Sequence, residues 1–388
     1  MIRISLSALL AAALALAGCG AEPEPAATPH GYVAGAEELP EAQSAIAYAA
    51  RGGQSLRLLD LGTEQEKQVG LTVGAQRLTE DGRFVYVSDG DRTLEIVDSG
   101  VWSVDHTDHV HYYRAPARTV GTVTFDAPIA SVAGFGAHTA VGTTGGTIRI
   151  LDRRQLEEGR IAEVATIDSG SSTALAVPYG QGLLVAVGDD RNQPATRIVA
   201  MSPDGRETGA LQTPCRAPRG WVVLRGGAVI ACDDSLVRVK LVNDTPAADV
   251  IDAPGGPVPS TGFGNRPRSN EAATADRGGI WSVNAAKATV RHLPAGGRDL
   301  IAAASPSDGD MVLALDASGT LISYDVVSGK KVAESALRAT TLTLDVNRAY
   351  LAEPQARVIH EVDYRDRLRV ARTLRATDQP DLAVEVGR

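Results

Sequence analysis

Short apolar runs alternate with turn residues along nearly the whole chain. Phe84-Val85-Tyr86-Val87-Ser88-Asp89 is followed by the turn residues Gly90 and Asp91, and then by Thr93-Leu94-Glu95-Ile96-Val97-Asp98. Side chains of an extended strand point alternately to its two faces, so runs of this length and period predict strands rather than helices. The pattern recurs at Ala45–Ala50 with Leu56–Asp60, at His138–Gly142 with Thr147–Asp152, and at Leu183–Val187 with Arg197–Met201. Later copies are Ala228–Cys232 with Leu236–Val239, Met311–Leu315 with Thr320–Asp325, and Arg348–Ala352 with Val358–Asp363. A weaker copy covers Ala272–Val283.

The copies begin roughly 37–46 residues apart, with one interval near 55. One such unit leaves an apolar face bare, and stacking the units in a ring buries it. The expected fold is all-β: a β-propeller of four-stranded blades over residues 44–388. Eight blades fit the copies, or seven if the poor copy near Ala272 is not a blade. Leu382–Val386 is a candidate strand for closing the ring.

The long interval carries the chemistry. Its surplus of about ten residues is Ser99–Tyr113, between a third strand at Thr93–Asp98 and a fourth near Ala117–Phe125. Within it stands Asp105-His106-Thr107-Asp108-His109-Val110-His111, holding three of the seven histidines in the chain. In an extended segment His109 and His111 share a face, roughly 6–7 Å apart at their α-carbons. Neutral imidazoles with a carboxylate suit Zn²⁺, and imidazole also suits copper and nickel. First-to-second and third-to-fourth turns lie on the same face of a propeller, because strands alternate in direction. This puts His138, at the first-to-second turn of the next blade, on the face of the His-rich stretch. The expected ligands are His109, His111 and His138, with Asp108 or His106 as a fourth and Asp105 holding an imidazole N–H from behind. His30, just before the first blade, is a further candidate. His292 and His360 lie in late strands and read as surface or satisfied positions.

The ends and the charge refine this picture. Arg3, the apolar run Leu6–Ala17 and Leu16-Ala17-Gly18-Cys19 have the form of a secretory signal over residues 1–18. Leu-Ala-Gly-Cys resembles the lipobox of bacterial lipoproteins, which implies cleavage before Cys19 and a lipid on its sulfur. Residues 19–43 then form a tether and lead-in, and the mature protein is held outside the cytoplasm at the membrane. The formal net charge is −9, becoming −10 once Arg3 is lost with the signal. That balance argues against nucleic acid and against an anionic membrane surface as partners. With Cys19 lipidated, Cys215 and Cys232 remain, and in an oxidising compartment they most simply form one disulfide.

These residues also carry a family resemblance. The chain resembles the AztD-type extracytoplasmic zinc metallochaperones in His30-Gly-Tyr-Val-x-Gly-Ala-Glu-Glu, in Asp98-Ser-Gly-x-Trp102-x-Val-Asp-His-x-Asp-His-x-His-Tyr-Tyr, and in the histidine of Gly-Ala-His138. It implies a propeller that binds zinc and passes it to the solute-binding protein of a zinc ABC transporter. It does not imply an enzyme. Members tend to carry a His-Gly pair beside the first cysteine of the fifth blade; here Cys215 is followed by Arg216-Ala-Pro-Arg219-Gly220, so a contribution of that histidine is lost. The competing readings are a metal-free interaction scaffold and a metal-dependent hydrolase, the latter lacking any evident general base.

Overall fold

The computed structural model describes residues 33, 35–106, 108–259 and 262–388. The alternating runs are strands, and the strands form eight four-stranded blades among the described residues. Blade 1 orders Leu382–Val386, Ala45–Ala49, Ser55–Asp60 and Glu66–Gly70 from the centre outward. Blade 2 is Arg77–Glu80, Phe84–Ser88, Thr93–Asp98 and Arg118–Thr124, and blade 3 is Ile129–Phe135, His138–Thr143, Thr147–Asp152 and Glu163–Asp168. The innermost strands of blades 4 to 8 are Ala176–Tyr179, Gly220–Leu224, Gly264–Asn265, Leu300–Ser305 and Thr343–Leu344. The weak copy near Ala272 is thus a full blade, the sixth, and Gly264 also pairs in parallel with Ala304 of blade 7.

The core is divided into seams. Ala45, Ala47 and Ala49 pack toward blade 2 with Val85, Val87 and Val97. Ile46 and Tyr48 of the same strand pack toward blade 8 with Tyr350, Ala352 and Ile359. Each central strand therefore feeds two seams, one from each face, which is why these strands are buried along their whole length. The outer strands, such as Arg118–Thr124, return to a polar alternation with one face in water. Leu382–Val386 pairs with Ala45–Ala49 along its full length and completes blade 1. Cys215, just past the outer strand of blade 4, is bonded to Cys232 at the end of the second strand of blade 5, with α-carbons 5.2 Å apart. Closing a loop of 17 residues contributes about 3 kcal/mol in the chain-entropy account.

A candidate metal centre on an inserted hairpin

The surplus after Asp98 folds as a hairpin outside the blade. Val101–Asp105 pairs with Val110–Arg114, and Glu37–Leu39 adds a third antiparallel strand along the free edge. The exit from blade 2 is a sharp bend at Gly100, whose φ is +75°; a Cβ there would lie 2.2 Å from the carbonyl oxygen of Ala115, so no other residue fits. The base is clamped by Trp102. Its ring stacks on Tyr113 at 5.4 Å and lies 3.7 Å beneath the Arg83 guanidinium, which makes a buried ion pair with Asp98 at 2.9 Å.

The register sets the site. Trp102 opposes Tyr113 and Val104 opposes His111. The next opposed positions are His106 and His109, joined by the His106 N–H donating to the His109 carbonyl at 2.9 Å. Opposed side chains share a face. One face of the hairpin therefore carries the aromatic clamp at its base and three imidazoles at its tip. The His106 ring stacks on that of His109 at 5.0 Å, and His111 meets both edge-on, at 5.2 and 4.9 Å. One donor nitrogen from each of His106, His109 and His111 lies within 4.8 Å of the others.

Two carboxylates orient the rings. His109 Nδ1 is 2.8 Å from Asp108 Oδ1, and His111 Nδ1 is 2.6 Å from Glu38 Oε1. The remaining nitrogens, His109 Nε2 and His111 Nε2, face each other at 3.1 Å. When each Nδ1–H donates a hydrogen bond to its carboxylate, both Nε2 atoms direct lone pairs at one place, and a cation there relieves their repulsion. Backbone N–H donation and the His109 ring hold the exposed Asp108 carboxyl below its ordinary range.

The sequence expectations divide at this point. His109 and His111 share a face as their spacing requires. His106 joins them as a cross-strand partner. His138 does not join them: it begins the second strand of blade 3, paired with Phe135 and Asp152. Burial pushes its imidazole below the ordinary value, partly opposed by the Asp152 charge. The expected common face is nevertheless real, since Gly134 and Phe135 share a cavity wall with Ser103 and Asp105. The hairpin leans from blade 2 across the channel mouth. Its Asp105 meets Arg225 of blade 5 at 3.2 Å and Arg268, just past the inner strand of blade 6, at 3.9 Å. Asp105 lies on the hairpin face opposite the rings, which is why arginines take it as a partner. Asp108 orients His109 from Nδ1, on the far side from the Nε2 atoms. Glu38 was not singled out from the sequence, although it closes the stretch His30–Glu38 whose pattern carried the resemblance. His30, Cys19 and the signal over residues 1–18 lie outside the described residues.

No protein-family model matches the chain, and no curated protein matches it. Solved structures do. A crystal structure of AztD from Citrobacter koseri aligns with a TM-score of 0.73 at 14% identity, over 89% of this chain and 98% of that one. A structure of apo AztD from the same organism gives 0.74 at 14% identity, with the same coverage of 89% and 98%. The dihydro-heme d1 dehydrogenase NirN gives 0.57 at 13% identity, over 88% of this chain and 75% of that one. The likeness is one of fold: this chain is a β-propeller built like AztD.

Proposed function

We propose that the protein is an extracytoplasmic zinc metallochaperone that holds Zn²⁺ at the hairpin tip and hands it to the solute-binding protein of a zinc ABC transporter. The single observation that carries this reading is the pair of Nε2 atoms 3.1 Å apart, each on a ring whose Nδ1 is held by a carboxylate. That arrangement is the usual outer support of zinc-ligating histidines. The AztD fold and the sequence resemblance support zinc as the cargo and a transporter protein as its receiver.

A carrier must bind tightly and still release. Three imidazoles, from His106, His109 and His111, leave the fourth tetrahedral position to water or to an incoming ligand. The side chains of His109 and Asp108 are 56% and 80% exposed, so a partner's ligand has direct access. Transfer then proceeds by exchange, one imidazole leaving as one partner ligand arrives, without free Zn²⁺. The lipid expected on Cys19 would keep the carrier beside the transporter. In this reading the protein is not an enzyme: the bound ion is passed on, not used to activate water.

The test mixes zinc-loaded carrier with the metal-free solute-binding protein in the presence of a strong chelator that scavenges any free ion. Zinc arriving on the partner rather than on the chelator supports direct transfer. A carrier that fails to load one equivalent of zinc, or one whose zinc goes wholly to the chelator, sinks the proposal.

A further inference from the structure

The channel beneath the hairpin holds a second feature, independent of the metal reading. A cavity of about 450 Å³ lies under the hairpin, walled by Phe135, Trp221 and Phe263 on its apolar side. It shares Glu80, Phe263, Asn265, Val384 and Arg388 with an adjoining cavity of about 160 Å³. Glu385, on the closing strand of blade 1, lines that adjoining cavity. Its residue is 1% exposed, and neither carboxyl oxygen makes a well-formed hydrogen bond, the Ser44 hydroxyl being the one side-chain donor that favours its charged form. A buried carboxylate left in this state is costly, and such groups are normally satisfied by a partner or by a ligand.

The local charge says which kind of ligand. Asp345 and Glu80 press on Glu385 with negative charge, and Arg388 and Ser44 alone favour its ionised form. Arg388 is already paired with Glu80. Around Glu385 itself the charge is thus more negative than positive; at the wide end, where three aromatic rings stand, Asp81 and Asp105 are matched by Arg153, Arg225 and Arg268. A cationic head would find a carboxylate, and an apolar body would find ring faces that also attract cations. The combined volume is in the range that takes a small organic molecule.

We propose that the channel is a binding site for a small organic cation, an ammonium group on an apolar or aromatic body, with Glu385 as its counter-ion and Phe135, Trp221 and Phe263 as its cradle. Without such a ligand, burial raises the Glu385 carboxyl to about 8, so it is held mostly protonated at neutral pH. An entering ammonium displaces that proton to solvent and takes its place. Affinity therefore rises as pH increases toward 8, up to the point where the amine itself loses its charge.

The experiment is isothermal titration of the full chain with phenethylamine, with neutral 2-phenylethanol and anionic phenylacetate as comparison arms. The three share a ring and differ in the head group. Phenethylamine should bind about tenfold more tightly than 2-phenylethanol, a difference of about 1.4 kcal/mol, and phenylacetate should not bind. Repeating the titration in buffers with different protonation heats should reveal a proton released on binding. Glu385→Gln should erase the preference for the amine while leaving zinc loading at the hairpin unchanged. Equal binding of the amine and the alcohol to the unaltered protein overturns the proposal, whether or not the variant folds. So does an amine preference that survives in Glu385→Gln.

Discussion

The tip of the hairpin and the strands of the blades use histidine in opposite ways. His292 sits in blade 6 with its Nε2 3.2 Å from the Gly278 carbonyl and its ring 4.6 Å from Trp281. His360 in blade 8 places Nε2 2.9 Å from a Glu353 carboxylate, with Thr373 beside its Nδ1. Those rings are engaged by the fold itself. At the tip Nδ1 of His109 and of His111 is held by a carboxylate, and the Nε2 atoms meet one another. The contrast shows how a scaffold separates roles for one residue type. A histidine whose outward nitrogen meets an acid or a carbonyl serves the fold, and one whose outward nitrogen meets another histidine is, in the function proposed above, kept for a third body. His138 belongs with the first group by position, half-buried and across from Asp152.

The sharpest way to break this comparison is to remove rings from each group in turn. His109→Ala and His111→Ala should each weaken zinc by at least about 100-fold, or about 2.7 kcal/mol, because each leaves two protein nitrogens. His292→Ala and His360→Ala should bind as the unaltered protein does. Chelator-competition titration above pH 7 measures this, since imidazole must be neutral to ligate and its ordinary pKa is about 6.5. Equal losses in both groups would dissolve the distinction.

A second variant asks whether the fold alone can account for such losses. Replacing Cys215 and Cys232 together by serine should lower unfolding free energy by about 3 kcal/mol in urea titration. Zinc affinity should not move, because the tip is anchored at blade 2 and reaches blade 5 only through the Asp105–Arg225 pair, away from the disulfide. Loss of zinc affinity in that variant would mean that the tip depends on global stability.

The orienting carboxylates come next. Glu38→Gln should weaken zinc by about tenfold, the ordinary effect of losing a carboxylate behind a ligating histidine. It also tests whether the short strand Glu37–Leu39 belongs to the site or only covers an edge. An unchanged competition curve would reduce it to a cover.

The smallest effects concern His138. His138→Gln should leave zinc affinity within about twofold, against the large loss for His106→Ala; the reverse order would restore the ligand set read from spacing alone. The variant should also alter acid sensitivity. Burial holds His138 below its ordinary pKa, so the folded state binds fewer protons there than the unfolded chain. Stability is then lost as pH falls from the unfolded value of about 6.5 toward the folded one. His138→Gln removes that loss, and thermal unfolding at pH 7 and pH 5 should show a smaller gap.

Much of the fold was legible because blade strands are written locally. Thr93–Asp98 and Leu382–Val386 occur as strands with the bounds read from sequence, and Cys215 and Cys232 are bonded as expected. The blade near Ala272 was faint because Glu271–Asp276 is built of alanine, threonine and acids, small side chains that suit a seam but announce it weakly. The site was legible in composition and only partly in geometry. Spacing along one strand identifies His109 and His111 as sharing a face. It says nothing about His106, which reaches them only through the register of a hairpin turning after it. Nor does it reveal Glu38, which lies 73 positions from His111 and arrives by pairing at a sheet edge. Strand alternation puts His138 on the side of the propeller that carries the hairpin, but a side does not fix a distance, and the hairpin leans across the channel toward Arg225 and Arg268.

The strand Leu382–Val386 has a consequence for the order of events as the chain folds. Ala45–Ala49 lies far along the chain from its inner neighbour, Ala49 pairing with Leu382. Until that neighbour arrives, the edge of Ala45–Ala49 has unpaired backbone, and its Ile46 and Tyr48 lack the Tyr350 and Ile359 that bury them. An open, apolar edge of this kind invites pairing with other chains. Contacts between such distant positions also form slowly. The edge therefore stays open until two segments 333 positions apart have met, and a chaperone that shields Ala45–Ala49 would protect it in that interval.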